Sequence, residues 1–309
     1  MRILFLGTPD FAVPALEALA TTNHEIVGVV TQPDRMRNRN KVTYSPVKEC
    51  ALNLGLPVYQ YERISREGVE DIKSLNVDLM ITCAFGQILS REILAIPPKG
   101  IINVHASLLP KYRGSSPIQW AILNGEKETG ISIMRTAYEV DSGDVLLQLK
   151  TEIGEEETAG ELFDRLSELG AKALLQGLQL IENGEDVYTP QDHSKMSYYP
   201  MLEKKDGLID FNKDYSELDS FIRGMNPWPS AFTFYNGKLF KVFKIKKYDD
   251  KITDSYGEIV KASNKDGLIV QIGDCHIEIV ESQVEGSRRM DTRSYLLGHS
   301  FDAGSILGK

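Results

Sequence analysis

Residues 2–20 read Arg-Ile-Leu-Phe-Leu-Gly-Thr-Pro-Asp-Phe-Ala-Val-Pro-Ala-Leu-Glu-Ala-Leu-Ala. The apolar run at 2–6 ends on Gly7, and from Phe11 to Leu19 apolar residues recur at helical spacing, so the stretch is a strand, a turn and a helix. The alternation continues outward. Ile26 to Val30 reads as a strand, Val47 to Leu54 as a helix, and Asp78 to Cys83 and Ile101 to Val104 as apolar strands. Strands alternating with helices imply an α/β fold with a mostly parallel sheet covered on both faces. Gly130 to Met134 and Asp144 to Leu149 add strands, and Leu162, Leu166, Leu169, Leu174 and Leu178 mark a long amphipathic helix from Ala159 to Ile181 that closes a first domain.

From Glu182 to Asp210 the chain turns polar and rich in turn formers, with Pro190, Pro200 and Gly207, which predicts a linker. The expected division is a first domain over 1–189, a linker over 190–206 and a second domain over 207–309. From Phe232 onward the period changes to two, through Phe234, Leu239, Val242, Phe243, Ile245, Leu268, Val270, Ile272, Ile277 and Ile279, with a turn signal at Asn236-Gly237. This predicts a small antiparallel sheet or barrel. No internal repeat or low-complexity segment interrupts the chain.

At 309 residues, 42% hydrophobic and 26% charged, the chain is a soluble globular protein long enough for two cores. No apolar run reaches membrane-spanning length, and the first residues lack a signal-peptide pattern, so the expected location is the cytoplasm. Cys50, Cys83 and Cys275 are widely spaced without metal-ligand spacing and read as reduced, structural thiols. No metal, flavin or nicotinamide is expected. The net charge of −9 argues against a general nucleic-acid binder. Residues 210–309 hold 14 Lys or Arg against 15 Asp or Glu, so the first 209 residues carry most of the acidity, at 21 against 29. Lys238, Lys241, Lys244, Lys246 and Lys247, with Arg288 and Arg289, form a basic group in the second domain. On these residues alone a solvated strand face ranks ahead of a phosphate-binding surface.

Three stretches bear on chemistry. Gly7-Thr8-Pro9-Asp10 sits where free N–H groups favour an anion, but it lacks both the Gly-x-Gly-x-x-Gly and the Gly-Lys-Ser/Thr patterns and reads first as a structural turn. Ile101 to Pro110 differs in kind, because an apolar strand ends by delivering Asn103 and His105 on one face. At the carboxyl end of a parallel strand they project into the crevice where α/β proteins bind ligands, although a lone His is more often structural than catalytic and an Asn before a turn is often only a local hydrogen-bonder. Tyr138 to Asp144 is a carboxylate-bearing loop before a strand. If Asp141 meets His105, the set holds a carboxylate, an imidazole and an amide donor, the parts needed for acyl transfer; otherwise the loop is an ordinary polar turn.

His-Ala-Ser-Leu-Leu-Pro-Lys-Tyr-Arg-Gly at 105–114, with Asn103 before it, and Asp-Ser-Gly-Asp at 141–144 resemble the signature of the folate-dependent formyltransferases. The similarity extends to residues 5–14, Ser45 to Lys48, Asn226 to Pro229 and Glu285 to Met290, and so spans nearly the whole chain. The resemblance implies a Rossmann-like domain that binds 10-formyltetrahydrofolate, followed by a small OB-like β-barrel domain. It implies Asn103, His105 and Asp141 as the catalytic trio, with Phe85, Gly86, Ser107, Leu108, Leu109, Pro110, Gly114 and Asp144 around the folate. Asn103 would donate to the oxygen of a tetrahedral intermediate, His105 would take the amine proton, and Asp141 would orient the ring.

Within that family the resemblance is to members that formylate methionyl-initiator tRNA for translation initiation. Such members carry a basic insertion after the second strand, and Asp34-Arg35-Met36-Arg37-Asn38-Arg39-Asn40-Lys41 occupies that place, departing from the glycine-rich form. The implied tRNA contacts are Arg35, Arg37, Arg39 and Lys41, with Lys244, Lys246, Arg288 and Arg289 in the second domain; a flexible solvated loop is the plainer alternative. A monomer is expected. An amino-sugar formyltransferase would share the trio, a glycinamide ribonucleotide formyltransferase would need no second domain, and a formyltetrahydrofolate hydrolase or folate-binding module would keep the pocket without an amine acceptor.

Overall fold

A computed structural model describes residues 1–37, 41–253 and 255–308, and leaves the side chains of residues 36, 37, 41 and 42 aside. The chain divides into two compact units. Unit 1 comprises Met1–Pro117, Glu128–Glu152 and Phe163–Tyr199; unit 2 comprises Ile118–Lys127, Ile153–Leu162 and Pro200–Lys309. The division is interleaved rather than consecutive, because two short segments that fall between parts of unit 1 in the sequence belong to unit 2. Residues 190–199, expected as linker, are built into unit 1: Tyr198–Tyr199 pairs in parallel with Arg113–Gly114, and Gln191 is buried.

Unit 1 is organised on a seven-stranded sheet of β1 (Arg2–Gly7), β2 (Glu25–Thr31), β3 (Val58–Gln60), β4 (Leu79–Cys83), β5 (Ile101–His105), β6 (Glu128–Arg135) and β7 (Val145–Glu152). Its order is β7-β6-β5-β4-β1-β2-β3. The pairs from β5 through β4, β1 and β2 to β3 are parallel, and β6 and β7 complete one edge antiparallel. The central strands are apolar on both faces because both are covered. Leu4, Leu6, Val30 and Met80 pack with Ile64, Ile72 and Ile93 from short helical segments, while Ile3, Phe5 and Ile81, on the opposite face, are equally buried.

Helix α1 (Val13–Ala20) carries proline in its first turn, where no N–H is missed, and α2 (Pro46–Asn53) is capped by Ser45, whose hydroxyl accepts from the Lys48 N–H at 3.2 Å. Helix α3 (Ala159–Asn183) follows the leucine spacing, with Leu162, Leu166, Leu174 and Leu178 buried. It lies close against the sheet through glycine: a Cβ at Gly170 would stand 3.1 Å from Val104 and one at Gly177 3.3 Å from Ile133.

Unit 2 holds an antiparallel sheet in the order β8-β9-β12-β11-β10, made of β8 (Ala231–Tyr235), β9 (Lys238–Asp249), β10 (Ile259–Ser263), β11 (Gly267–Gln271) and β12 (His276–Val284). Asn236 and Gly237 both take positive φ, 50° and 72°, as a two-residue hairpin turn between twisted strands demands. Register irregularities at Val242/Lys244, Lys244/Ile245 and Lys247/Asp249 bend β9. Phe240, Val242, Ile245, Leu268, Val270, Ile277 and Ile279 of these strands share one buried core, in the antiparallel sheet anticipated from the period-two pattern. Helix α4 (Tyr215–Gly224), capped by Asp214, adds Leu218 and Ile222 to the same core.

Candidate active site

Asn103 and His105 stand on one face at the carboxyl end of β5, as the strand period requires. Thr82 on neighbouring β4 pairs in register with Asn103, and its hydroxyl donates to Asn103 Oδ1 at 2.9 Å. That bond turns the amide so that Nδ2 points away from Thr82, and Nδ2 has no hydrogen-bond partner among the described residues. His105 is buried, and its Nε2 lies 2.9 Å from the Tyr112 carbonyl oxygen. A carbonyl accepts only, so Nε2 carries the proton and Nδ1 of the neutral ring is the free base.

Asp141 does fold back to meet the histidine. Its Oδ2 lies 3.7 Å from His105 Nδ1, with 7% of the imidazole and 14% of the carboxylate side chain exposed. The gap is too long for a hydrogen bond and fits an unprotonated nitrogen facing a carboxylate. A proton arriving at Nδ1 turns that face into an ion pair in a poorly solvated setting. Asp141 holds a positive φ of 49°, and its Oδ2 accepts from the Gly114 N–H at 2.9 Å. Gly114 is required here: its φ is 105°, and a Cβ would stand 2.2 Å from the Tyr199 carbonyl oxygen.

The loop after His105 is pinned from beneath. Ser132 Oγ donates to the Ser107 carbonyl at 2.6 Å and accepts from the Leu109 N–H at 3.1 Å, while Gln148 Nε2 donates to the Leu109 carbonyl at 2.9 Å. Ser107 Oγ donates to the Lys111 carbonyl, and Leu109 precedes Pro110 through a cis peptide bond. Ser107 and Leu109 are buried; Leu108 and Pro110 are half-buried. After β4 the chain turns through Ala84 and Gly86, both at positive φ. The Phe85 carbonyl accepts from Thr8 Oγ1 and Gln32 Nε2, each at 3.2 Å. Asp144 makes no side-chain hydrogen bond or ion pair among the described residues. A cleft of about 420 Å³ opens at the carboxyl ends of β1, β2 and β4, lined by Thr8, Gln32, Arg35, Ser45, Gly86 and Gln87 among others. A larger cleft of about 570 Å³, lined by Lys73, Asn76, Asp78 and Glu92 among others, contains none of the expected site residues.

The expected cation sites divide. Arg35–Arg37 and Lys41–Thr43 form a short antiparallel ladder with Arg35 exposed, whereas Arg39 lies outside the described residues. At the base of this segment Lys48 Nζ binds Asp34 at 2.5 Å and Gln60 at 2.9 Å. In unit 2, Lys244 pairs with Glu156 at 2.9 Å, Lys246 with Glu278 at 2.9 Å and Arg289 with Glu281 at 2.7 Å. Lys238, Lys241 and Arg288 form no ion pair among the described residues. Sequence reasoning missed Thr82, Tyr112, Arg113, Ser132, Gln148 and Gln191. Thr82 and Ser132 carried a usable signal, since each is a buried polar residue set between buried apolar neighbours in its strand.

Among the described residues no cluster of His, Cys, Asp and Glu is arranged to hold a metal, and no helix is long and apolar enough to cross a membrane. Cys50, Cys83 and Cys275 are buried and unpaired, and burial pushes the Cys83 thiol up to about 12.

Two family models match this sequence: "Formyl transferase" over residues 1–178 and "Formyl transferase, C-terminal domain" over residues 201–300. Among similar proteins, a methionyl-tRNA formyltransferase of Alkaliphilus oremlandii is 46% identical over 311 residues, covering 100% of both chains. One of Clostridioides difficile is 46% identical over 310 residues, again covering 100% of both. Among solved structures, an N-formyltransferase from Helicobacter canadensis, in complex with folinic acid and dTDP-3-aminofucose, superposes with a TM-score of 0.67 at 18% identity, covering 90% of this chain and 98% of its own.

Proposed function

The chain belongs to the methionyl-tRNA formyltransferases of the formyl transferase family, and from that premise we propose that it moves the formyl group of 10-formyltetrahydrofolate to the free α-amine of methionyl-initiator tRNA. The observation that carries the chemistry is the meeting of an unpartnered amide donor, Asn103 Nδ2, with a buried imidazole and carboxylate at the end of β5. When bound, 10-formyltetrahydrofolate supplies an activated formyl carbon. The residues present fit that group: the free donor suits a carbonyl oxygen, and the turns at Gly86 and at the loop 107–110 supply backbone and apolar surface beside it.

On this reading Asn103 Nδ2 donates to the formyl oxygen as negative charge builds there. His105 Nδ1 receives the proton that the attacking amine gives up, with Nε2–H held on Tyr112. Asp141 then stabilises the imidazolium across the 3.7 Å gap, and the ring gives that proton to the folate N10 as its bond to the formyl carbon breaks and tetrahydrofolate leaves. Phe85, Gly86, Ser107, Leu108, Leu109, Pro110, Gly114 and Asp144 are the folate-side residues. The trio is complete within one chain, which supports a monomer. Residues 207–309 assist in holding tRNA, and Arg35, Arg37, Arg39, Lys41 and Arg288 are the cations assigned to its phosphates; Lys244, Lys246 and Arg289 are secondary, being paired with carboxylates. The site of action is the cytoplasm, where translation starts.

The rival acceptor is a nucleotide-linked amino sugar, suggested by the fold shared with the Helicobacter canadensis protein, but 18% identity there stands against 46% with the tRNA enzymes. The purified protein is to be incubated with 10-formyltetrahydrofolate and either methionyl-initiator tRNA, an amino-sugar nucleotide or no acceptor. The expected result is formylated methionyl-tRNA alone; transfer only to the sugar overturns the acceptor, and formate release without acceptor overturns transfer itself.

A further inference from the structure

Two buried residues that the proposed chemistry does not use form a closed ring with Asp141. Gln191 Nε2 donates to the Asp141 carbonyl at 2.8 Å and to the Gly143 carbonyl at 2.7 Å. Its Oε1 accepts from Arg113 Nε at 3.0 Å and Nη2 at 2.6 Å. Arg113 precedes Gly114, whose N–H donates to the Asp141 carboxylate at 2.9 Å, so the ring closes through the backbone. Asp141 is thus gripped at its carbonyl and at its carboxylate by one segment on either side. The same segment supplies the Tyr112 carbonyl that holds His105 Nε2.

Arg113 makes the arrangement unusual. Its side chain is buried, and its partners are neutral: Gln191, Met196 Sδ at 3.5 Å and His193 Nδ1 at 3.3 Å, with no ion pair among the described residues. A buried guanidinium without a carboxylate is costly and persists where its donors have a fixed task. Here the task is to fix the Gln191 amide. With Oε1 committed to Arg113, the two N–H donors face the loop, and Asp141 stays in a left-handed conformation that a non-glycine residue otherwise avoids.

We infer that Gln191, oriented by Arg113, is a positioning residue for the formyl-transfer site: it sets the Asp141 carboxylate against His105 Nδ1. The inference rests on the function proposed above. It is tested with Gln191→Glu, which keeps an acceptor for Arg113 but replaces the donor by an oxygen facing two carbonyls, and with Gln191→Met as a second variant of similar length should the first fail to fold.

Two readouts are taken on the folded variant: steady-state formyl transfer, and hydrogen exchange at the Gly114 amide, which reports the Gly114–Asp141 bond without any substrate. The expected result is a kcat lowered about 10- to 100-fold at near-unchanged KM for the folate, with faster exchange at Gly114 and unchanged protection at Leu4 and Ile81 in the sheet centre. Wild-type kcat, wild-type exchange at Gly114, or a kcat loss with Gly114 protection unchanged overturns the inference. If the wild-type protein formylates no tRNA, the functional reading fails, and the exchange measurement still decides the positioning claim.

Discussion

Thr82 decides what Asn103 can do. Its hydroxyl occupies Asn103 Oδ1 and leaves Nδ2 as the outward donor, so the residue that aims the amide is one with no substrate role of its own. Thr82→Val keeps the volume and removes the bond. With a neutral hydrogen bond contributing about 1 kcal/mol, kcat is expected to fall several-fold with little change in KM for either substrate, measured by steady-state formyl transfer. Gly114→Ala places a Cβ against the Tyr199 carbonyl at a backbone angle suited to glycine. It is expected to cost at least about 1–3 kcal/mol in urea unfolding and to weaken the Asp141 hydrogen bond with it. At this scale the sequence was legible where chemistry is local: Asn103 and His105 share a strand face because they are two residues apart. The approach of Asp141 to His105 spans 36 positions and was only conditional in the sequence. Gln191 sat in what read as linker, and nothing near it in the chain signals that its partners are Arg113 and Asp141.

At the scale of elements, the strands and helices with a clear period came through: β1, β2, β4 to β7 and α3 lie where apolar runs and leucine spacing placed them. The short pieces did not. The edge strand β3 is three residues long, and the helical segments Ile64–Glu67 and Val69–Ser74 are too brief to show a repeat, so packing against the sheet rather than pattern defines them. Strand β9 shows how a lysine-rich pattern is used. Its register sets Lys246 opposite Glu278 of β12, a carboxylate nearly buried and bonded also by Arg293 at 2.6 Å. Burial alone pushes the Glu278 carboxyl up, but the bonds from Arg293 and Lys246 outweigh it and hold it below the usual glutamate value. A carboxyl lowered in the folded state stabilises fully above the unfolded value and loses that contribution as pH falls through the folded one. Urea midpoints of the wild type are therefore expected to drop below the usual carboxylate range. Glu278→Gln is expected to flatten that acid dependence and to cost about 1–2 kcal/mol at neutral pH, a modest figure because both cations are substantially exposed.

At the scale of the whole molecule, the acidic balance and the polyanionic partner have to be reconciled. Net charge is −9, so attraction for RNA depends on local cations rather than on the overall field. Three of the eight cations expected to meet tRNA are already paired with carboxylates, and the basic segment after β2 holds four in seven residues. Joint replacement of Arg35, Arg37, Arg39 and Lys41 by alanine is expected to weaken tRNA binding and to reduce the slope of log K against log salt by up to about 0.9 for each phosphate no longer neutralised. Lys244→Ala is expected to change that slope little; an equal or larger effect there would move the RNA-binding surface to unit 2. Two cores were legible from the change of period, but not their interleaving. Ile118–Lys127 and Ile153–Leu162 join unit 2 through neighbours distant in sequence, such as the Gly160 N–H on the Asn226 carbonyl at 3.0 Å and the close approach of Leu123 to Gly224. The central claim, that Asn103 and its neighbours transfer formyl to the methionyl amine, is tested most directly by single-turnover transfer from 10-formyltetrahydrofolate to methionyl-initiator tRNA, with wild-type protein and Asn103→Ala both saturated. Formyl-methionyl-tRNA is expected from the wild type at a rate about 10²- to 10³-fold above that of the variant; equal rates, or no formylated tRNA from the wild type, would contradict the claim.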